Sequence, residues 1–326
     1  MVLLSMKRHP LFIMLGCLVL VLLLSLSLGQ QTINPFQLDP LQLKIVLDLR
    51  LPRIVVALLM GGSLGVAGAI LQGVFRNPLA DPYVLGTSSG AALAAAFGLL
   101  ATQGTGVWLV PLLALTGALV TSAVVISLGR DAWGVRAERL LLAGVGIGFF
   151  LSAILMLVMS LAQADGVKRA LLWMAGDLAG ADWSVVPVAS LLMLFGFLLA
   201  LARRRGLNAL ALGDEVAFGL GLEPGRERTL LVLAASLLTA ASVALGGIVG
   251  FVGLMVPHAV RALVGADARR VLPLSALGGG MLLCLADTVG RSVLPPVEIP
   301  AGVVTALIGA PWFLIMLRRA TNGGMR

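Results

Sequence analysis

Charge is what this sequence has least of. Of its 326 residues, 12% are Asp, Glu, Lys or Arg, about half the quarter that a soluble domain carries. Two soluble domains of ordinary size, the first expectation from length, are therefore excluded. Cysteine and histidine each occur twice. Cys17 and Cys284 lie inside apolar stretches and read as small core residues, and His9 and His258 complete no ligand set. Neither a disulfide framework nor a metal centre is expected. The three lysines, Lys7, Lys44 and Lys168, never follow a glycine. No Gly-Lys-Ser/Thr phosphate loop exists, so the chain has no ATP-hydrolysing site of that kind. Net charge is +8 with a pI near 10.9, yet tyrosine occurs once and no basic run is interleaved with aromatics. A nucleic-acid interface is not expected.

What is present is apolar. Hydrophobic residues make up 59% of the chain, mean hydropathy is +1.05, and glycine numbers 40. Disorder needs the opposite composition. A membrane crossing takes about 20 apolar residues, and such stretches fall at about 11–29, 52–74, 87–101, 107–129, 140–162, 185–202, 229–249, 250–266, 271–289 and 300–317. The reading is a single all-α transmembrane domain over 1–326 with ten spans and both termini on one side. The first stretch also has features of a signal peptide, with Lys7 and Arg8 before it and a cleavage-site-like Ser27-Leu28-Gly29 at its end.

With the termini in the cytoplasm, Lys44, Arg50, Arg53, Lys168, Arg169 and Arg291 fall outside. The other cations number 23 − 6 = 17 and fall inside. This bias fixes the orientation and makes the six outer cations the exceptions. Gly61, Gly65 and Gly68 share one face of the second span, and Gly144 and Gly148 pair in the fifth; this spacing suits close helix packing. The run Gly246 to Gly253 resembles a phosphate loop superficially and reads as a tight turn with a close-packed helix start.

Three polar regions stand out. The first runs from Arg76 through Asn77, Pro78, Leu79, Ala80, Asp81 and Pro82 to Gly86-Thr87-Ser88-Ser89-Gly90. Its prolines bar a continuous helix; it reads equally as a stiff inner turn and as a constriction at the inner mouth of a pathway. The second runs from Arg203 to Arg228. Asp214 and Glu215 suit the first turn of a short helix, Gly219 and Gly221 end it, and Glu223-Pro224 opens another. Val216, Phe218, Leu220 and Leu222 would then be left facing the cytosol, as at a protein docking surface. The third is the outer surface, where Arg50, Arg53 and Arg291 suit lipid headgroups or the carboxylates of an acidic partner. The middle spans hold almost no ionisable relay, which ion-coupled carriers generally need. If the chain pumps, its engine is another chain.

The residues resemble one family. Arg50-Leu51-Pro52-Arg53, Leu71-Gln72-Gly73 with Asn77 to Pro82, Leu85 to Gly90, Leu140 to Val145, and Trp173-Met174-Ala175-Gly176 carry the likeness. So do Gly250 to His258, Ala286-Asp287-Thr288, Glu298-Ile299-Pro300 and Val304 to Pro311. Over most of its length the chain is similar to FecCD-type permeases of binding-protein-dependent ABC importers for ferric siderophores, haem and cobalamin. The resemblance implies the type II importer fold: ten helices per subunit, with the second to fifth and seventh to tenth as inverted repeats. It implies a homodimer in the bacterial inner membrane, two ATP-binding cassette subunits inside and a substrate-binding protein outside. No catalytic residue, cofactor or metal is implied in this chain, ATP and Mg belonging to the partner ATPase. Gly213, Asp214, Glu215, Val216, Phe218, Gly219, Leu220 and Gly221 match the coupling helices (about 213–228). Arg50, Arg53 and Arg291 match binding-protein docking positions, and Asn77, Pro78 and Leu79 the inner gate. The alternative is a stand-alone ion-coupled secondary transporter.

Overall fold

A computed structural model describes residues 10–101, 107–131 and 134–323; Lys7, Arg8 and Arg326 of the charge reading, the histidine His9, and the side chain of Arg319 lie outside the described residues. Helix α1 spans Pro10–Ser27. Helix α2, Pro40–Ile45, runs through a π turn, Val46–Arg50, into α3, Leu51–Val74. A 3-10 turn, Pro82–Leu85, precedes α4, Thr87–Ala101, and α5 is Leu109–Leu128. A two-residue hairpin, β1 Arg130–Asp131 against β2 Gly134–Val135, leads into α6, Ala137–Ser160. There follow α7 Ala164–Met174, α8 Val186–Ala202, α9 Arg204–Leu212, α10 Asp214–Gly219, α11 Pro224–Gly246, α12 Val252–Val264, α13 Ala268–Gly290 and α14 Ala301–Gly323.

Among the described residues, five helices are long and apolar enough to cross a membrane, and α8 with α9 makes a sixth, bent by 58°. Four shorter apolar helices complete the ten expected stretches: Phe12–Ser27, Thr87–Ala101, Val252–Val264 and Ala301–Met316. The order of lengths repeats. A long helix, an irregular break, a short helix and two further helices form α3 to α6, and the same series forms α11 to α14. The two series start on the second and seventh spans, so in a ten-span chain they run in opposite directions.

Helix α3 is the hub, packing against α13, α11 and α12. Its glycine face meets backbone rather than side chains. A Cβ at Gly61 would lie 2.2 Å from the Gly279 carbonyl oxygen, and one at Gly65 would lie 2.3 Å from that of Ser275. This is the small-residue packing expected of the stripe. In the fifth span Gly144 packs against the Val84 carbonyl, whereas Gly148 has more room. Helix α1 is joined to α13 through Ser25, whose hydroxyl pairs with Thr288 at 2.7 Å and Cys284 at 3.1 Å.

Candidate functional site

The polar region 203–228 forms one corner. Asp214 and Glu215 occupy the first turn of α10, Gly213 supplies the positive φ before it and Gly221 the positive φ after it. Ala217 is buried, while Val216, Phe218 and Leu220 are exposed, Phe218 by 75%. The expected pair of short helices needs a correction. Pro224 opens the 23-residue α11, so the second short helix is α9, which precedes α10. The physical reason is that no breaker follows Pro224-Gly225 until Gly246-Gly247. Arg228, buried at the foot of α11, donates to Asp214 Oδ1 and to the Val135 carbonyl, both at 2.7 Å. Hairpin, coupling segment and span are thus tied at one guanidinium. On the far side of α9, Asn208 donates to Asp267 at 2.9 Å and accepts from the Ala268 amide. The Asn208 bond first, then the Arg269 amide, hold the Asp267 carboxyl below its ordinary range.

The inner-mouth region begins where α3 ends in a Schellman motif. The Arg76 amide donates to Gly73 O and the Asn77 amide to Gln72 O, with Arg76 itself at φ +50°. Asn77 Oδ1 then accepts from the Leu79 amide at 2.9 Å, and Asp81 Oδ1 from the Tyr83 amide at 2.9 Å. Asn77, Pro78 and Leu79 are exposed on this turn. Beyond it the chain enters the bundle: Val84 meets Gly144, seven residues or about 10 Å along α6 from its start.

The second break lies between α11 and α12. It is longer than the expected tight turn: Gly247 at φ +78°, then Ile248, Val249, Gly250 and Phe251 at φ +69°. A Cβ at Gly247 would lie 1.9 Å from the Trp173 carbonyl, so glycine is required there. The helix start is close-packed as expected, Gly253 O lying 1.8 Å from where a Gly68 Cβ would be. The Tyr83 hydroxyl donates to Val249 O at 3.2 Å and accepts from Val249 N at 3.0 Å. Gln72 donates to Gly253 O and Leu254 O, each at 3.2 Å, and its own oxygen accepts from Arg261. Sequence reasoning gave neither Gln72 nor Tyr83 a role. The available signals were a lone amide in an apolar span and the single tyrosine.

On the outer corner the structure turns the three arginines inward. Arg50, Arg53 and Arg291 are 6%, 8% and 4% exposed. Arg50 donates to the carbonyls of Leu26 and Gln31. Arg53 Nε donates to both Asp287 oxygens, at 2.8 and 3.0 Å, and its Nη1 to Glu298 at 2.7 Å. Arg291 donates to Ser25 O and lies 3.5 Å from Asp287. In this structure each guanidinium bonds to groups of the chain itself, as buried charges do. They still line a cavity of about 410 Å³ together with Glu298 and Gln30. Lys168 and Arg169 lie within the short helix α7.

A multi-pass helical membrane protein built of two matched halves, with helices broken inside the bundle, has the architecture of a transport protein. The model of the FecCD transport family matches residues 17–319, and the chain belongs to that family. It is 39% identical over 323 residues to the Fe(3+)-citrate import system permease protein YfmE of Bacillus subtilis, covering 96% of each chain. To the hemin transport system permease protein HmuU of Yersinia pestis it is 40% identical over 324 residues, covering 94% of this chain and 96% of that one. A solved metal-chelate type ABC transporter in an inward-facing conformation superposes with a TM-score of 0.88 at 30% identity, covering 95% of this chain and 99% of that one.

Proposed function

We propose that the chain is the permease subunit of an ATP-driven importer that carries a metal-chelate nutrient of the siderophore, haem or cobalamin kind inward by alternating access. It works as a homodimer in the cytoplasmic membrane with both termini inside. Two ATP-binding cassette subunits, which hold the ATP and Mg, seat on α9 and α10, and a binding protein docks on the outer corner that Arg50, Arg53 and Arg291 brace. Asn77, Pro78 and Leu79 narrow the inner mouth. The observation that carries the reading is α10. Val216, Phe218 and Leu220 are exposed beside Asp214 and Glu215 on a segment that Arg228 anchors to the bundle. Such an apolar tip with a rigid foot suits insertion into a partner. The homodimer is supported by α6, the least covered of the five long apolar helices. Its exposed Leu142, Phe149, Phe150 and Met156 carry no charge, which suits a bulky chelate path.

The test is reconstitution with the partner subunits. Isolated complexes are expected to hold two copies of this chain and two ATPase chains, and to show binding-protein- and ATP-dependent uptake. Glu215→Lys with Phe218→Ser spares the internal Asp214–Arg228 bond and is expected to lower uptake per ATP at least ten-fold. Unchanged uptake by that variant would remove the coupling assignment.

A further inference from the structure

The break at 247–251 leaves backbone groups without helical partners; Val249 is buried, and buried groups of this kind are satisfied by protein. Two side chains from the first half bond to the break and to the helix it opens, Tyr83 to Val249 and Gln72 to Gly253 and Leu254 of α12. Among the described residues, the Tyr83 hydroxyl is the hydrogen-bond partner of both the Val249 amide and the Val249 carbonyl. One hydroxyl thus serves as donor and acceptor to a single residue, as a strand neighbour would. Four residues after Gly253 stands Pro257, which has no N–H to give the Gly253 carbonyl inside α12. The Gln72 amide fills that vacancy at 3.2 Å, and Arg261 holds the Gln72 oxygen. Pro82 also packs directly on Gly253.

The first-half break is itself tied to the cytoplasmic corner. Arg76, the turn residue from which Asn77 to Tyr83 hang, reaches to about 3.5 Å from the place of a Cβ at Gly213. Gly213 is the residue before α10. Two neighbours thus border the start of α10: Arg228 of α11, bonded to Asp214, and the Arg76 guanidinium beside Gly213, at the head of the short segment that runs through Pro78 and Pro82 to Tyr83.

We propose that Tyr83 is a positioning residue that locks the 247–251 break to the 77–86 break, so that the two breaks and the half-length helix α12 move as one unit during transport. This rests on the importer reading given above. Tyr83 touches no cargo in this scheme; it sets where α12 begins.

The decisive variant is Tyr83→Phe, which keeps the ring and removes both hydrogen bonds. The first measurement needs the permease alone: the rate at which a maleimide labels Ile248→Cys in protein whose Cys17 and Cys284 are replaced by Ala. Removing the hydroxyl is expected to raise that rate at least ten-fold, with the elution profile of the folded protein unchanged. The second uses vesicles with the ATPase and binding protein, where uptake per ATP is expected to fall at least ten-fold at an unaltered KM for ATP. Gln72→Met is expected to move both readouts in the same direction. An unchanged labelling rate, or unchanged uptake per ATP, overturns the lock. Wild-type vesicles without ATP-driven uptake would overturn the importer reading instead; the labelling rate, which needs no partner, would still decide the lock.

Discussion

Single residues in this molecule act by whom they pair with, and the pairs join distant parts of the chain. Arg53 is the strongest case. Its guanidinium meets Asp287, 234 residues away, and Glu298, 245 residues away. Removing one member of a buried pair leaves an uncompensated charge, which costs about 3–5 kcal/mol. Arg53→Met is expected to destabilise the protein by about 3 kcal/mol, since Arg291 remains near Asp287. Thermal unfolding in lipid nanodiscs measures this, and adding Asp287→Leu is expected to recover part of the loss. The sequence marked Arg50, Arg53 and Arg291 as anomalies because outer cations oppose the charge bias. It could not show what they bond to, because Arg53 meets carboxylates from the far end of the chain and Arg291 reaches back to Ser25. Asp214 and Glu215 were legible for the opposite reason: a helix start is a local event.

At the level of helices, small residues decide which pairs can touch. The α3 face carrying Gly61, Gly65 and Gly68 was visible as a spacing, and its partners were not. Gly68→Ala would drive a Cβ to 1.8 Å from the Gly253 carbonyl oxygen, and backbone cannot step aside as a flexible side chain can. It is expected to cost at least about 2 kcal/mol, in the range of core overpacking. Gly16→Ala, with nothing within 4 Å, serves as the control and is expected to be neutral or to gain up to about 1 kcal/mol of helix propensity. Melting temperatures of the two variants in the same detergent separate them. The span starts at 52, 87 and 300 read from hydropathy fall within one residue of the helices. The start at 229 missed by five, because Pro224 to Arg228 is polar yet helical. The break at 247–251 was read as a turn because its glycines signal irregular backbone without saying whether it is folded or extended.

For the whole molecule, the two matched halves and the scarcity of charge were both open to reading: the first only through the family likeness, the second from composition directly. The contacts between the halves were not, since Tyr83 and Val249 are 166 residues apart. The short helices have a consequence for how the protein is made. Helix α4, with 15 residues, and α12, with 13, rise only about 22 and 20 Å, short of a hydrocarbon core of about 30 Å. Neither is a competent stop or start for an insertion machine on its own. Each has to enter the bilayer as a hairpin with the long helix that follows it, α5 or α13. A periplasm-sensitive reporter fused after Ala101 is therefore expected to give mixed orientations, and one fused after Leu128 a single orientation. Uniform orientation at both points would show that the short helices insert unaided. The protein's broken spans are, in these terms, a schedule: the bilayer accepts this chain in pairs of helices, and the half that breaks is committed only when its neighbour has been made.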